Sequence, residues 1–569
     1  MAHTALFRTL RRLAREQHDA RVLGHEVQAL RDARMEARVR RLSLGEPGPV
    51  ARGRGLGRRG FVAGSAAAIG LGACVGPMSG QPTIAIVGGG IAGLTAALTL
   101  LDAGYRATIY EALPNRVGGR MLSDRASRPG CGSCHTVSSP ATFGWDDDHV
   151  TDVFGEMIDT SHETMRALAE RFGLTLVDSL AAEPAGATET YYFSGAHYPA
   201  DTAATDFAAL YDALSVDLEA AGYPTTYASS TAAGRAIDAM SVRDWIGSRV
   251  SGGLDSPLGK LLDTAYAIEF GADTTDQSAL NLLYLLGYAS TDAPLSVFGE
   301  SDERYRIQEG IDRLPAAIAN TLGAGAIQQG WVLEAIARRG DRYELTFDAG
   351  SAQTVMADYV VLALPFSSLR NVDYGGAGFD MRKDQAIREL GAGRNGKLQL
   401  QFTERLWNTP GPWGLSNGTY FTDTGCQAGW EPSRGYPGTS GILLKYTGGA
   451  ATDLFAQTHS YDNTANEPDV RTDAMTFLSE LEPVFPGISR LWNGKAAGSM
   501  AHRNRFWGSS YAYWRVGQGA LFGGHEQARQ GNVFFAGEHT STDFQGFMEG
   551  AASTGVAAGE EILASIRGT

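Results

Sequence analysis

The chain has 569 residues, 43% of them hydrophobic and 20% charged, with a formal net charge of -15. That length exceeds what one core needs and predicts two or more domains, and the acidic balance argues against nucleic acid as a partner, because phosphate binding needs clustered cations. No apolar run reaches the roughly 20 residues that span a bilayer. The 72 glycines predict many tight turns and close backbone contacts, as cofactor-binding α/β proteins use.

The charge is uneven. Residues 1–73 hold 14 Arg, no Lys and 6 acidic residues, which leaves 34 cations against 57 anions in the rest. Within this basic head, "GRRGFVAGSAAAIGLGAC" sets Arg58-Arg59 before a short, weakly apolar stretch rich in Ala and Gly. It is too short for an anchor and resembles a twin-arginine export signal, which predicts export in folded form to the periplasm or cell envelope through the twin-arginine machinery. The stretch ends in "LGAC", so Cys74 reads either as a lipoprotein's lipidated first residue or as an ordinary residue beyond a cleavage site. In an oxidising compartment Cys131 and Cys134 of "CGSC" read as a local disulfide or idle thiols. A metal site would need a second pair of ligands, and none exists.

Next comes "TIAIVGGGIAGLTAALTLLDAGYRATIYEA". Ile84 to Val87 reads as a buried parallel strand, Leu94 to Leu101 as an apolar helix and Ala107 to Tyr110 as a second strand closed by Glu111. Between them Gly88, Gly90 and Gly93 form G-x-G-x-x-G. Gly88 allows the tight turn, Gly90 lets backbone approach a pyrophosphate, and Gly93 lets helix and strand pack closely. Glu111 stands where a ribose would offer its hydroxyls. Together these predict a Rossmann-like dinucleotide site. Further on, "GRNGKLQLQF" places Leu398, Leu400 and Phe402 on one face and Lys397, Gln399 and Gln401 on the other, the period of a half-buried strand. Taken alone, Lys397 would be a charge on the wet face.

Five segments resemble the flavin-containing amine oxidase family across nearly the whole chain after the head. "NRVGGRMLS" matches a block in which the second Arg and the glycines run beside the FAD pyrophosphate, and so implicates Arg116, Gly118, Gly119 and Arg120. "FGEMIDTSHETMRALAERFGL" is similar to the segment whose Gly-Glu pair, Gly155-Glu156 here, passes near the flavin. "WVLEAIARRGDRYELTFDAG" with "ADYVVLALPFSSLR" resembles the return to the FAD domain, where Val332 would hold adenine through its backbone. "FFAGEHTSTDFQGFMEGAASTGVAAGEEIL" matches the C-terminal flavin motif. It implicates Gly537, Glu538 on a ribityl or ribose hydroxyl, and the turn Gly546, Phe547 and Met548, which starts a helix aimed at the flavin. "NGKLQLQFTERLW" matches the segment whose Lys holds a water against flavin N5, which reassigns Lys397 to the flavin side and makes Gln399 and Gln401 weak pocket candidates.

The resemblance implies FAD-dependent oxidation of an amine C–N bond. Hydride passes to flavin N5, the imine hydrolyses to an aldehyde or ketone, and oxygen (giving H2O2) or a redox protein reoxidises the flavin. Two aromatic side chains should flank the substrate nitrogen: Phe547, and either Tyr511 or Trp514 in "WGSSYAYWRVGQG". Ser510 occupies the place where some relatives attach flavin through Cys, so FAD should be non-covalent. Ile158 stands where L-amino-acid oxidases often carry a carboxylate-clamping Arg, which favours an amine without an α-carboxylate, although other Arg residues, such as Arg515, could take that role. L-amino-acid oxidation, or flavin binding without amine chemistry, are the alternative readings. His162, His502 and His539 read as structural or flavin-adjacent. No hydrolase motif is present and no metal is expected.

The expected architecture is α/β: a discontinuous Rossmann-like FAD-binding domain (80–155, 300–375 and 495–569) with an inserted α+β substrate-binding domain (156–299 and 376–494), preceded by the signal region 1–73.

Overall fold

In the computed structural model of the protein, residues 81–124, 144–287, 295–299, 301–464 and 467–568 are described. The export head, with Arg58, Arg59 and Cys74, and the "CGSC" pair lie outside them. Ile84–Val87 is a strand with every residue buried, as its unbroken apolar run requires. It lies at the centre of a five-stranded sheet in the order Val533–Phe535, Tyr359–Leu362, Ile84–Val87, Thr108–Glu111, Ile327–Gln329. All four pairings are parallel. The helix Ile91–Asp102 follows the first strand and begins three residues earlier than its apolar run suggests.

The chain's last helix, Met548–Arg567, packs along Ile91–Asp102. Small residues make this close approach necessary: a Cβ on Gly555 would stand 2.1 Å from the Ala92 carbonyl oxygen. Thr95 Oγ1 donates across the contact to the Ala552 carbonyl (3.0 Å).

A second, eight-stranded mixed sheet runs Tyr461–Asn463, Trp492–Ser499, Asn395–Phe402, Gly441–Gly448, Ala428–Gly429, Ser416–Thr422, Thr188–Phe193, Ala196–Tyr198. Helices between Ala200 and Leu286 pack beside it, including Pro257–Phe270, which opens on an Ser256 cap and closes on left-handed Gly271. A three-stranded antiparallel sheet, Val332–Arg339, Arg342–Asp348 and Ala352–Ala357, completes the larger sheets. The architecture is thus the expected α/β one.

The strand Asn395–Phe402 departs from its simple reading. All eight of its residues are buried, and it has a partner on both edges. Leu398, Leu400 and Phe402 enter a core with Trp407 and Phe477. The polar face is buried too, against the segment 146–156.

Candidate active site

The turn after Ile84–Val87 is built from backbone. Gly88 has φ +104°, a conformation side chains resist, and Gly93 packs so close that an added Cβ would meet the Gly88 carbonyl oxygen at 2.0 Å. Gly90 is the opposite case: a Cβ there would meet nothing within 4 Å, because it faces a cavity of about 1630 Å³. The helix beginning at Ile91 has no side-chain cap and no acidic residue in its first turn. Its free N–H groups and dipole therefore favour an anion at that end. An open glycine, an uncapped helix N-terminus and an acid at the next strand's tip fit a dinucleotide.

That acid, Glu111, lines the cavity. Its Oε2 accepts from Gly89 N–H (2.6 Å) and its Oε1 from Leu113 N–H (2.7 Å). Burial pushes its carboxyl up and these N–H groups pull it back. Gly118 donates to the Gly89 carbonyl (2.8 Å), so Gly118, Gly119 and Arg120 run beside the first glycine turn. Arg120 donates to Glu538 Oε1 (3.1 Å) and to the Ser510 carbonyl. Arg116 behaves otherwise. It is absent from the cavity wall; its guanidinium is buried, donates to the Gly119 carbonyl (2.6 Å) and lies over the Trp507 ring. Burial lowers it to about 10. It braces the turn that faces the cavity.

Val332 lines the same end, one residue after Trp331, whose N–H donates to the Glu111 carbonyl (2.9 Å). Gly537, Glu538, Gly546, Phe547 and Met548 all line the cavity. Glu538 Oε2 accepts from Gly546 N–H (3.0 Å) and Ala512 N–H (3.3 Å), tying the C-terminal turn to the Tyr511 segment. Glu549 does not compete at this helix N-terminus. Its carboxylate accepts from Thr164 and Met165 N–H (3.0 and 2.8 Å) and so caps the helix Glu163–Arg171. His162 meets Phe547 edge-on at 5.3 Å.

Lys397 is 3% exposed and lines the cavity. Its Nζ donates to Glu156 Oε2 (2.6 Å), the Asp152 carbonyl (2.9 Å) and the Phe154 carbonyl (3.3 Å). All three donors are thereby engaged within the protein. Asp152 shares the cluster, and burial, with Glu156 adding, pushes it up to about 7. Gln399 and Gln401 are not on the cavity wall. They donate to the Asp152 and Asp146 carbonyls (3.1 and 3.0 Å) and clasp the segment 146–152 to the sheet.

The two candidates for the second aromatic wall separate cleanly. Tyr511 lines the cavity; its hydroxyl donates to the Ile268 carbonyl (2.7 Å) and lies 3.3 Å from that of Tyr446. Trp514 is absent from the wall, 3% exposed, with Nε1 donating to Glu526 Oε1 (2.9 Å). Trp430 and Tyr446, 5.1 Å apart, extend the aromatic wall. Sequence reasoning missed both, and it missed Glu269 and Glu303 on the same wall; no local pattern distinguishes any of these four. Arg515 pairs with Asp276 and does not line the cavity, and Ile158 is wholly buried in the core. His502 and His539 line the cavity, and burial lowers His502 to about 4 and His539 well below its usual value, so both are neutral there.

A family model described as flavin containing amine oxidoreductase matches residues 91–563. The chain is 23% identical over 500 residues to an L-amino-acid oxidase of Mus musculus, covering 84% of this chain and 70% of the relative. It is 25% identical over 532 residues to nicotine dehydrogenase of Pseudomonas putida, covering 89% and 97%. In fold it resembles cyclohexylamine oxidase from Brevibacterium oxydans, with a TM-score of 0.68 and 19% identity over 85% of this chain and 99% of that one.

Proposed function

The chain belongs to the flavin-containing amine oxidoreductases, and from that premise we propose that it uses non-covalent FAD to oxidise the C–N bond of an amine that carries no α-carboxylate. The observation that carries this reading is the charge on the cavity wall. Two of its cations are already engaged, Lys397 with Glu156 and Arg434 with Glu183 (2.7 Å), while Arg503 and Arg505 also line the cavity. Glu269 and Glu303 stand on the same wall without a cationic partner among the described residues. A substrate carboxylate would lie among these acidic groups, and Arg515 lies elsewhere, paired with Asp276.

Bound in the cradle, the flavin supplies the hydride acceptor. The chain's residues do the rest by placement. Gly88, Gly90, Gly118, Gly119 and Arg120 would hold the pyrophosphate, Glu111 and Val332 the adenosine half, and Gly537, Glu538 and the Gly546–Met548 turn the flavin end. Tyr511 and Phe547 offer aromatic faces to the substrate nitrogen, which must be neutral when it reacts because its lone pair drives the hydride out. Lys397 fixes a buried positive charge beside Glu156 at the cavity wall.

Non-covalent attachment is supported by Ser510, whose Oγ donates to Asn395 Oδ1 (2.5 Å). Among the described residues the one cysteine, Cys426, is fully buried away from the cavity and pushed up to about 12 by that burial. Export through the twin-arginine route is supported by the Arg58-Arg59 head. Replacing both arginines with lysine should retain the protein in the cytoplasm.

The test is anaerobic mixing of the holoenzyme with primary amines, secondary amines and L-amino acids, following flavin absorbance. Amines should bleach the flavin and amino acids should not. Bleaching by an L-amino acid alone would assign the protein to amino-acid oxidation, and no bleaching by any of them would overturn the reading. Admitting oxygen afterwards and assaying H2O2 distinguishes oxygen from a protein acceptor.

A further inference from the structure

His162 is an interior imidazole held by one residue. It is 1% exposed, and the Asp159 N–H donates to its Nδ1 (2.9 Å). A nitrogen that accepts does not carry the proton, so the proton sits on Nε2. Nε2 lies 3.3 Å from Asp159 Oδ2. Asp159 thus faces both ring nitrogens, one with its backbone and one with its carboxylate, and rotating the ring breaks both contacts. Asp159 is itself 2% exposed, and its carboxylate is fixed by Ser301 Oγ (2.8 Å) and Glu303 N–H (3.0 Å).

The imidazole in turn meets two phenylalanines. Phe544 and Phe547 each stand 5.3 Å from it, at interplanar angles of 84° and 62°. Phe544 is buried, whereas Phe547 lines the cavity. The same turn is tied down a second time. Glu549, two residues after Phe547, accepts from Thr164 and Met165 N–H (3.0 and 2.8 Å). Those groups open the helix Glu163–Arg171, which starts directly after His162. Ring and backbone around Phe547 are therefore both referred to the segment 159–165. A ring in a cavity wall is packed on one side only, so such supports decide which rotamer it keeps.

We propose that His162, oriented by Asp159, is a positioning residue for Phe547, fixing the aromatic face that holds the substrate C–N bond in line for hydride transfer. This rests on reading Phe547 as a wall of the amine site. His162 is absent from the cavity wall, so it reaches the reaction only through Phe547. Its loss should disturb geometry more than affinity, because a small displacement of the wall removes the near-attack arrangement while leaving the apolar contact.

The experiment is a double-mutant cycle on the holoenzyme with a primary n-alkylamine, following flavin bleaching by anaerobic stopped flow. His162→Ala, checked for full flavin content, should slow the limiting rate of flavin reduction by about tenfold. The half-saturating amine concentration should change by less than about threefold. Phe547→Leu should slow reduction as well. Adding His162→Ala to Phe547→Leu should cost less than about twofold more, because the ring that His162 holds is then gone. Should His162→Ala lose flavin or fail to fold, His162→Asn, which can still accept the Asp159 N–H but lacks the ring, carries the same cycle. An undiminished limiting rate in the flavinylated variant, or the full loss repeated in the Phe547→Leu background, overturns the proposal while leaving amine oxidation standing. Failure of every amine to bleach the wild-type flavin would refute the amine reading itself, and this proposal with it.

Discussion

Replacing Lys397 by methionine tests the centre of the site. The ammonium and Glu156 are each about 4% exposed at the side chain and 2.6 Å apart. Removing it leaves the Phe154 carbonyl without a donor, the Asp152 carbonyl with Gln399 alone, and Glu156 with neither oxygen bonded, since Oε1 already lacks a partner. Breaking a buried pair from one side costs ~3–5 kcal/mol. Proton uptake by Glu156 would bring the loss toward the lower figure, and methionine refills the volume. The dinucleotide cradle lies on other segments, so flavin content should be retained. Flavin reduction by amine should slow at least about tenfold, ~1.4 kcal/mol in activation free energy. Stopped-flow bleaching measures the rate and denaturant unfolding the stability. The variant Lys397→Met/Glu156→Gln should recover ~1–3 kcal/mol relative to additivity but not the rate. Wild-type bleaching in fully flavinylated Lys397→Met would return the lysine to a purely structural role.

Other outcomes follow from single observations. Gly90→Val should leave the flavin-free fold intact and abolish flavin binding, because its side chain enters open cavity; Gly93→Ala should instead destabilise the fold, because its Cβ meets the Gly88 carbonyl oxygen at 2.0 Å. Thermal melts of the flavin-free proteins with flavin titration separate the two. Tyr511→Leu should lower kcat/KM for amines by about tenfold or more with flavin bound, whereas Trp514→Phe should cost ~1–3 kcal/mol of stability by removing the indole donor to the buried Glu526 carboxylate and leave kcat/KM within about twofold. Asp152 titrates at about 7 in the fold against an ordinary 3.8, so within that window the folded state holds a proton the unfolded state has lost. Its contribution therefore falls as pH rises, by at most about 1.4 kcal/mol per pH unit. Asp152→Asn should flatten that part of the pH–stability curve, read by denaturant unfolding between about pH 4 and pH 7.

The sequence by itself determined the dinucleotide cradle, because its strand, glycine turn, helix and terminal acid are contiguous and each imposes a local requirement. Gly88, Gly90 and Gly93 behave as their spacing demands: a left-handed turn, an open face and a backbone contact. The alternation of "GKLQLQF" gave the strand and its two faces. What faced Lys397 was not local information. Only the eight-stranded sheet and the segment 146–156 show that the polar side is interior, with Lys397 on the cavity wall and Gln399 and Gln401 used as clasps. Arg116 and Arg120 are four residues apart and look alike in sequence, yet one turns back to brace Gly119 and the other reaches Glu538. Tyr511 and Trp514 are equally aromatic; tertiary packing sends one to the cavity and the other to Glu526. The charge pattern of the substrate end was the least legible feature, because Glu156, Glu269 and Glu303 share nothing in sequence but their type. A site assembled from adjacent residues can be read from the chain, whereas one assembled from distant residues exists only once the fold has brought them to one cavity.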